Sequence, residues 1–134
     1  MIDHTGVIVT DLEKSKGFYT ATLGAIGLVV LMEFPASVTG GTDVAGFGAP
    51  ESLAQDLSPE FWLARGNPGS IPVHVAFRVS SHGLVDGFYK AALGAGGRDN
   101  GTPGLRPHYH PNYYGAFVLD PDGHNVEAVC HEPA

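Results

Sequence analysis

Cysteine is nearly absent from this 134-residue chain: Cys130 is the only one. An intrachain disulfide is therefore excluded, and a reducing, cytoplasmic setting is the simplest expectation. At an apolar strand position, the thiol reads as a buried structural group rather than a nucleophile. Basic residues are scarce too. Seven Lys and Arg stand against 14 Asp and Glu, a formal charge of -7, which repels a polyphosphate backbone and argues against nucleic acid as a partner. Long hydrophobic runs are also missing. No window approaches the ~18 apolar residues of a membrane span, and Met1-Ile2-Asp3-His4 has no basic region leading into an apolar one, so no membrane association is expected. What is plentiful is glycine and proline, 19 and 10 residues, set between short aliphatic and aromatic stretches. With 43% hydrophobic residues, that pattern suits one mixed α+β domain spanning residues 1–134.

The chain repeats itself. Gly17-Phe18-Tyr19-Thr20-Ala21-Thr22-Leu23-Gly24-Ala25-Ile26-Gly27 returns as Gly87-Phe88-Tyr89-Lys90-Ala91-Ala92-Leu93-Gly94-Ala95-Gly96-Gly97, with eight of the eleven positions identical. The offset that carries Gly17 onto Gly87 also superimposes His4 on His74, although neither histidine lies in the matched segment. Each half opens with a β-branched segment, Val7-Ile8-Val9 or Val73 to Val79, and continues into a helix. Thr10 and Glu13 form a capping-box pattern that predicts a helix start at Thr10; in the second half Ser80 or Ser81 is the expected cap. Gly24 and Gly94 are the expected stops.

Three extended pieces should follow each helix. In the first half these are about Leu28 to Phe34, Thr42 to Phe47 and Glu60 to Arg65. In the second they are a short piece near Gly97 to Asp99, then, after a long Pro- and Gly-rich loop, Tyr113 to Leu119 and Asn125 to His131. Asp120-Pro121-Asp122-Gly123 suits the turn between the last two. The expected organisation is two βαβββ repeats, residues 1–66 and 71–132, forming a curved mixed sheet around a metal or ligand cavity.

Alternation along the first strand puts His4, Gly6 and Ile8 on one face and Thr5, Val7 and Val9 on the other. The β-branched set should lie under the helices, leaving His4, and by the repeat His74, on the open face. Glu127 lies in an otherwise apolar strand, Asn125-Val126-Glu127-Ala128-Val129, where an unpartnered carboxylate is costly to bury and a divalent cation would offset that cost. Two imidazoles and one carboxylate make a facial triad, an arrangement that leaves coordination positions open to water or substrate. His4, His74 and Glu127 are therefore the candidate ligands of one divalent ion, for which iron, manganese, nickel, cobalt and zinc all fit.

These motifs resemble the vicinal oxygen chelate superfamily, which includes glyoxalase, bleomycin-resistance and extradiol dioxygenase proteins. The resemblance rests on the paired histidine strands, the doubled G-F-Y-x-A-x-L-G-A, and Phe117-Val118-Leu119-Asp120-Pro121-Asp122-Gly123-His124-Asn125-Val126-Glu127, and it covers essentially the whole chain. It implies a fourth ligand on the strand Glu60 to Arg65, where alternation turns Phe61 or Trp62 to the cavity and neither can bind a metal. Trp62 would instead wall the substrate site. The long loop concentrates titratable and aromatic groups, with His110 and Tyr114 the candidate catalytic groups and Arg106, His108 and Tyr113 candidate substrate contacts. The resemblance also implies a homodimer.

Two functional classes follow. One is a metal-dependent lyase, isomerase or dioxygenase acting on a small oxygenated substrate chelated to the ion. The other is a metal-free protein that sequesters a small molecule, as bleomycin-resistance proteins do. A scaffold with a vestigial site is a third reading.

Overall fold

Val7 and Val9 are buried while Ile8 between them is nearly half exposed, so the first strand has one face on the core and one open. The computed structural model describes every residue except Asp56 and Leu57, and all but the side chain of Leu53. That strand, β1 (Thr5–Val9), leads into α1 (Leu12–Gly24), β2 (Val29–Phe34), α2 (Ala36–Thr39), β3 (Val44–Gly48), α3 (Glu51–Ala54) and β4 (Phe61–Arg65). The second half runs β5 (His74–Val79), α4 (His82–Gly94), β6 (Arg98–Leu105), β7 (Tyr114–Leu119) and β8 (Asn125–Cys130). The fold is the expected α+β pair of βαβββ repeats, and α1 and α4 begin and end at equivalent positions of the two copies. The short helices α2 and α3 are additions to the first repeat.

Each repeat makes one open, curved four-stranded sheet, ordered β1-β4-β3-β2 and β5-β8-β7-β6. The first strand of each half pairs parallel with the last, and the other pairings are antiparallel. The two registers correspond: Gly6 stands opposite Trp62, and Ala76, its counterpart, opposite Glu127.

Local signals explain most of the boundaries. Asp11, not Thr10, caps α1, accepting from the Lys14 N–H at 3.1 Å. Thr10 is drawn away by a distant partner, its hydroxyl meeting Asp122 Oδ1 at 2.5 Å. Ser81 caps α4 by accepting from the Leu84 N–H. Gly24 and Gly94 are the last helical residues rather than the residues past the end, and the left-handed positions fall at Gly27 and Gly96. The 120–123 turn forms as expected, the Gly123 N–H donating to the Asp120 carbonyl at 2.9 Å. The first part of the expected long loop after residue 99 is instead strand, and the loop proper begins at Arg106: β6 reaches Leu105, with irregular pairing around Gly101. As an edge strand, it tolerates Pro103 because that residue owes no N–H to a neighbour.

A single core joins the halves. Val7, Phe61 and Leu63 of the first sheet, Phe18 and Leu23 of α1, Val85 and Phe88 of α4, and Val118, Val126 and Ala128 of the second sheet all belong to it. Cys130 is buried there as a free thiol. The buried Tyr19 phenol donates to Asp120 Oδ2 at 2.6 Å. His124 spans the seam: its Nδ1 accepts from the Val73 N–H at 3.0 Å and its Nε2 meets the Ile8 carbonyl at 2.8 Å. Since Nδ1 accepts, the imidazole is the neutral Nε2–H tautomer. Both sheets thus turn their β-branched faces to a common interior, and their open faces look away from it. No helix among the described residues is long and apolar enough to cross a membrane.

Candidate metal centre

Glu127 is 2% exposed and lies on the open face of the second sheet, because Val126, Ala128 and Cys130 take the core side of β8. A carboxylate so enclosed needs partners for both oxygens. Oε2 meets His74 Nε2 at 3.1 Å, and Oε1 accepts from the Tyr113 hydroxyl. Gly115, between them in β7, leaves the room this requires: a Cβ there would lie 3.1 Å from Tyr113 Cε1 and 3.4 Å from Glu127 Oε1. Burial, then the bond to Glu127, raises the Tyr113 pKa well above the usual phenol value, so the phenol keeps its proton and acts as donor.

Phe117 pairs with Glu127 across the sheet and packs its ring 6.2 Å from that of His74. The Arg106 guanidinium lies over the other reach of Phe117, 5.6 Å from the ring centre, tied to the Gly104 and Thr102 carbonyls at 2.8 and 2.7 Å. The result is a half-site with a buried acid, an imidazole, a phenol, an aromatic floor and a fixed cation on one sheet face.

The remaining candidates are distributed unevenly. Tyr114 points the other way: its hydroxyl donates to Asp86 of α4 at 2.7 Å, and its ring stacks on His82 at 3.9 Å. Its neighbour Tyr113 is the one whose hydroxyl reaches Glu127. His110 is exposed, with Nδ1 accepting from the Asn112 N–H at 3.1 Å and its ring against His131. His108 is exposed beside Tyr109. Trp62 is the residue of β4 that faces the open side, Phe61 being fully buried, and its ring stacks with Phe34. His4 belongs to the first sheet's side, where its Nδ1 meets Asp3 at 2.6 Å. Among the described residues of one chain, no three His, Cys, Asp or Glu side chains are grouped to hold a metal. A cleft of about 320 Å³ at the seam, lined in part by Asp3, Thr5, Glu60, Ala76 and Arg78, includes neither His74 nor Glu127.

The His74–Glu127 pair fits a metal as far as two donors can. Nitrogen and oxygen ligands each about 2.1 Å from one ion and at right angles lie about 3 Å apart, close to the separation seen. The alternation that turns Tyr113, Gly115 and Phe117 toward Glu127 was available in the sequence, and it distinguishes Tyr113 from Tyr114.

Residues 1–128 match the Glyoxalase/Bleomycin resistance protein/Dioxygenase superfamily. The chain belongs to that superfamily. A glyoxalase/bleomycin resistance protein from Albidiferax ferrireducens is 25% identical over 96% of both chains, with a TM-score of 0.71. A glyoxalase I mutant from Zea mays is 24% identical with a TM-score of 0.71, the alignment covering 96% of this chain and 46% of that one. A mutant of the fosfomycin resistance protein FosX of Listeria monocytogenes, solved with Mn(II) and a dihydroxypropylphosphonic acid, shares the fold at 15% identity and a TM-score of 0.66, with 96% of this chain and 88% of that chain covered. No curated protein matches the sequence.

Proposed function

We propose that the protein is a metalloenzyme of the glyoxalase superfamily, acting on a small oxygenated substrate at a centre shared between two copies of the chain. The observation that carries this reading is the buried Glu127 carboxylate held 3.1 Å from His74 Nε2 on an open sheet face. His74 and Glu127 of one copy would supply two ligands, and His4 of the second copy the third, once its imidazole leaves Asp3. The placement of the open faces supports sharing: both look away from the common core, and two chains related by a twofold axis would close a cup over each half-site. The exposed apolar groups of the first sheet's open face, Ile8 and Phe34 beside Trp62, would be covered in the same step.

A divalent ion there would polarise two vicinal substrate oxygens and stabilise negative charge as it develops. The chain's own residues do the rest. Phe117 and Trp62 would exclude water from two sides, the Arg106 guanidinium would offer charge to an oxygen at the β6 edge, and His110, in the adjoining loop, would pass protons to solvent. The donors present accept Fe, Mn, Ni, Co or Zn.

One observation favours the second reading, a metal-free protein that sequesters a small molecule: both Glu127 oxygens already have partners. Elemental analysis after purification without added metal, followed by Co²⁺ titration, separates the two. About one ion per chain, lost in His74→Ala, supports the enzyme; stoichiometry near zero with retained small-molecule binding supports the binder.

A further inference from the structure

The Tyr113–Glu127 contact does more than satisfy a buried acid. Glu127 has two oxygens and the pair with His74 uses one of them; which oxygen faces the imidazole, and whether the second can follow it, depends on what holds the other. That holder is a phenol whose own position is fixed from behind. The Arg106 N–H donates to the Tyr113 carbonyl at 2.7 Å, the Tyr113 N–H donates to the His110 carbonyl at 3.1 Å, and the Tyr109 N–H closes back on the Arg106 carbonyl at 3.0 Å. The Tyr113 ring is further bracketed by Tyr109 at 5.0 Å and His131 at 5.3 Å. Gly115 clears the path along which the phenol reaches the carboxylate.

We propose that Tyr113 is a positioning residue that makes Glu127 a one-oxygen ligand, reserving Oε2 for the ion beside His74 and keeping Oε1 out of its coordination sphere. This inference rests on the metalloenzyme reading above. A carboxylate free to swing would bind with both oxygens and close a position that substrate needs; one tied at Oε1 leaves that position open. Outer partners of this kind orient metal ligands and typically contribute about 10- to 100-fold to metal affinity.

The test is Co²⁺ titration of the full-length wild-type protein, Tyr113→Phe and Tyr109→Phe, followed by the intensity of the visible Co²⁺ bands, with circular dichroism as the check on folding. Tyr109→Phe controls for loss of a neighbouring phenol that does not touch Glu127. Tyr113→Phe is expected to weaken Co²⁺ binding about 10- to 100-fold and to dim the bands, because a carboxylate bound through both oxygens raises the coordination number; Tyr109→Phe should match wild type. Wild-type affinity and spectrum in Tyr113→Phe would overturn the inference alone, as would tighter binding, which would make the phenol a competitor of the ion. Absence of Co²⁺ binding in the wild type would remove the metalloenzyme reading and this inference with it.

Discussion

Trp62 occupies in the first sheet the register position that Glu127 occupies in the second: Gly6 pairs with Trp62 as its repeat equivalent Ala76 pairs with Glu127. Where the repeat would place a second carboxylate, the chain has an indole stacked on Phe34.

Restoring an acid at that position should therefore add a ligand. Trp62→Glu is expected to tighten Co²⁺ binding by at least about tenfold, about 1.4 kcal/mol, as measured by competition with a chromophoric chelator. Unchanged or weaker binding in a folded variant would place Trp62 away from the centre.

Asp120, 1% exposed, takes Tyr19's hydroxyl on one oxygen and the Asp122 and His124 N–H groups on the other. Removing the hydroxyl leaves a buried carboxylate oxygen without its donor, so Tyr19→Phe should cost about 1–3 kcal/mol in urea unfolding at pH 7. Burial, and then the charge of Asp120, push the Tyr19 phenol well above its ordinary 10.0. The unfolded chain therefore releases that proton first as pH rises. Stability from this group is complete below pH 10 and declines above it, and Tyr19→Phe should flatten the alkaline slope by about one proton. An identical slope in the two proteins would refute the assignment.

His124 ties Val73 of the second half to Ile8 of the first through its two ring nitrogens. Truncation leaves a part-buried N–H and carbonyl at the seam without their partner and opens a cavity where the buried imidazole was. His124→Ala should lose about 2–4 kcal/mol, and hydrogen exchange should show the largest loss of protection at these two strands. A loss below about 0.5 kcal/mol, the range of ordinary surface changes, would mean that the seam holds without it.

The repeat made most of this architecture legible, because a shared offset carries helix, strand and histidine together: α1 starts at Leu12 and α4 at its equivalent, His82, as the matched segments require. Features set by distant partners were less legible. Thr10 reads as a cap but is claimed by Asp122, and Asn100 to Leu105 reads as loop because nothing local marks an edge strand that accommodates glycines and Pro103. At the site, alternation turns Glu127 to the open face of β8, opposite Val126 and Ala128, and it could have distinguished Tyr113 from Tyr114. It could not say which way two sheets face one another, since period-two patterning is the same whether the open sides meet within a chain or between chains. Only packing around the joint core of α1, α4 and both sheets decides that.

Subunit complementation tests the shared centre most directly. His4→Ala and His74→Ala chains should each bind almost no Co²⁺ alone. In a mixed dimer one centre lacks both imidazoles, while the other takes His4 from one chain and His74 from its partner. Co-refolding the two should restore one ion per heterodimer. Failure to regain any binding in verified heterodimers, or full binding by either variant alone, would contradict a centre built from two copies.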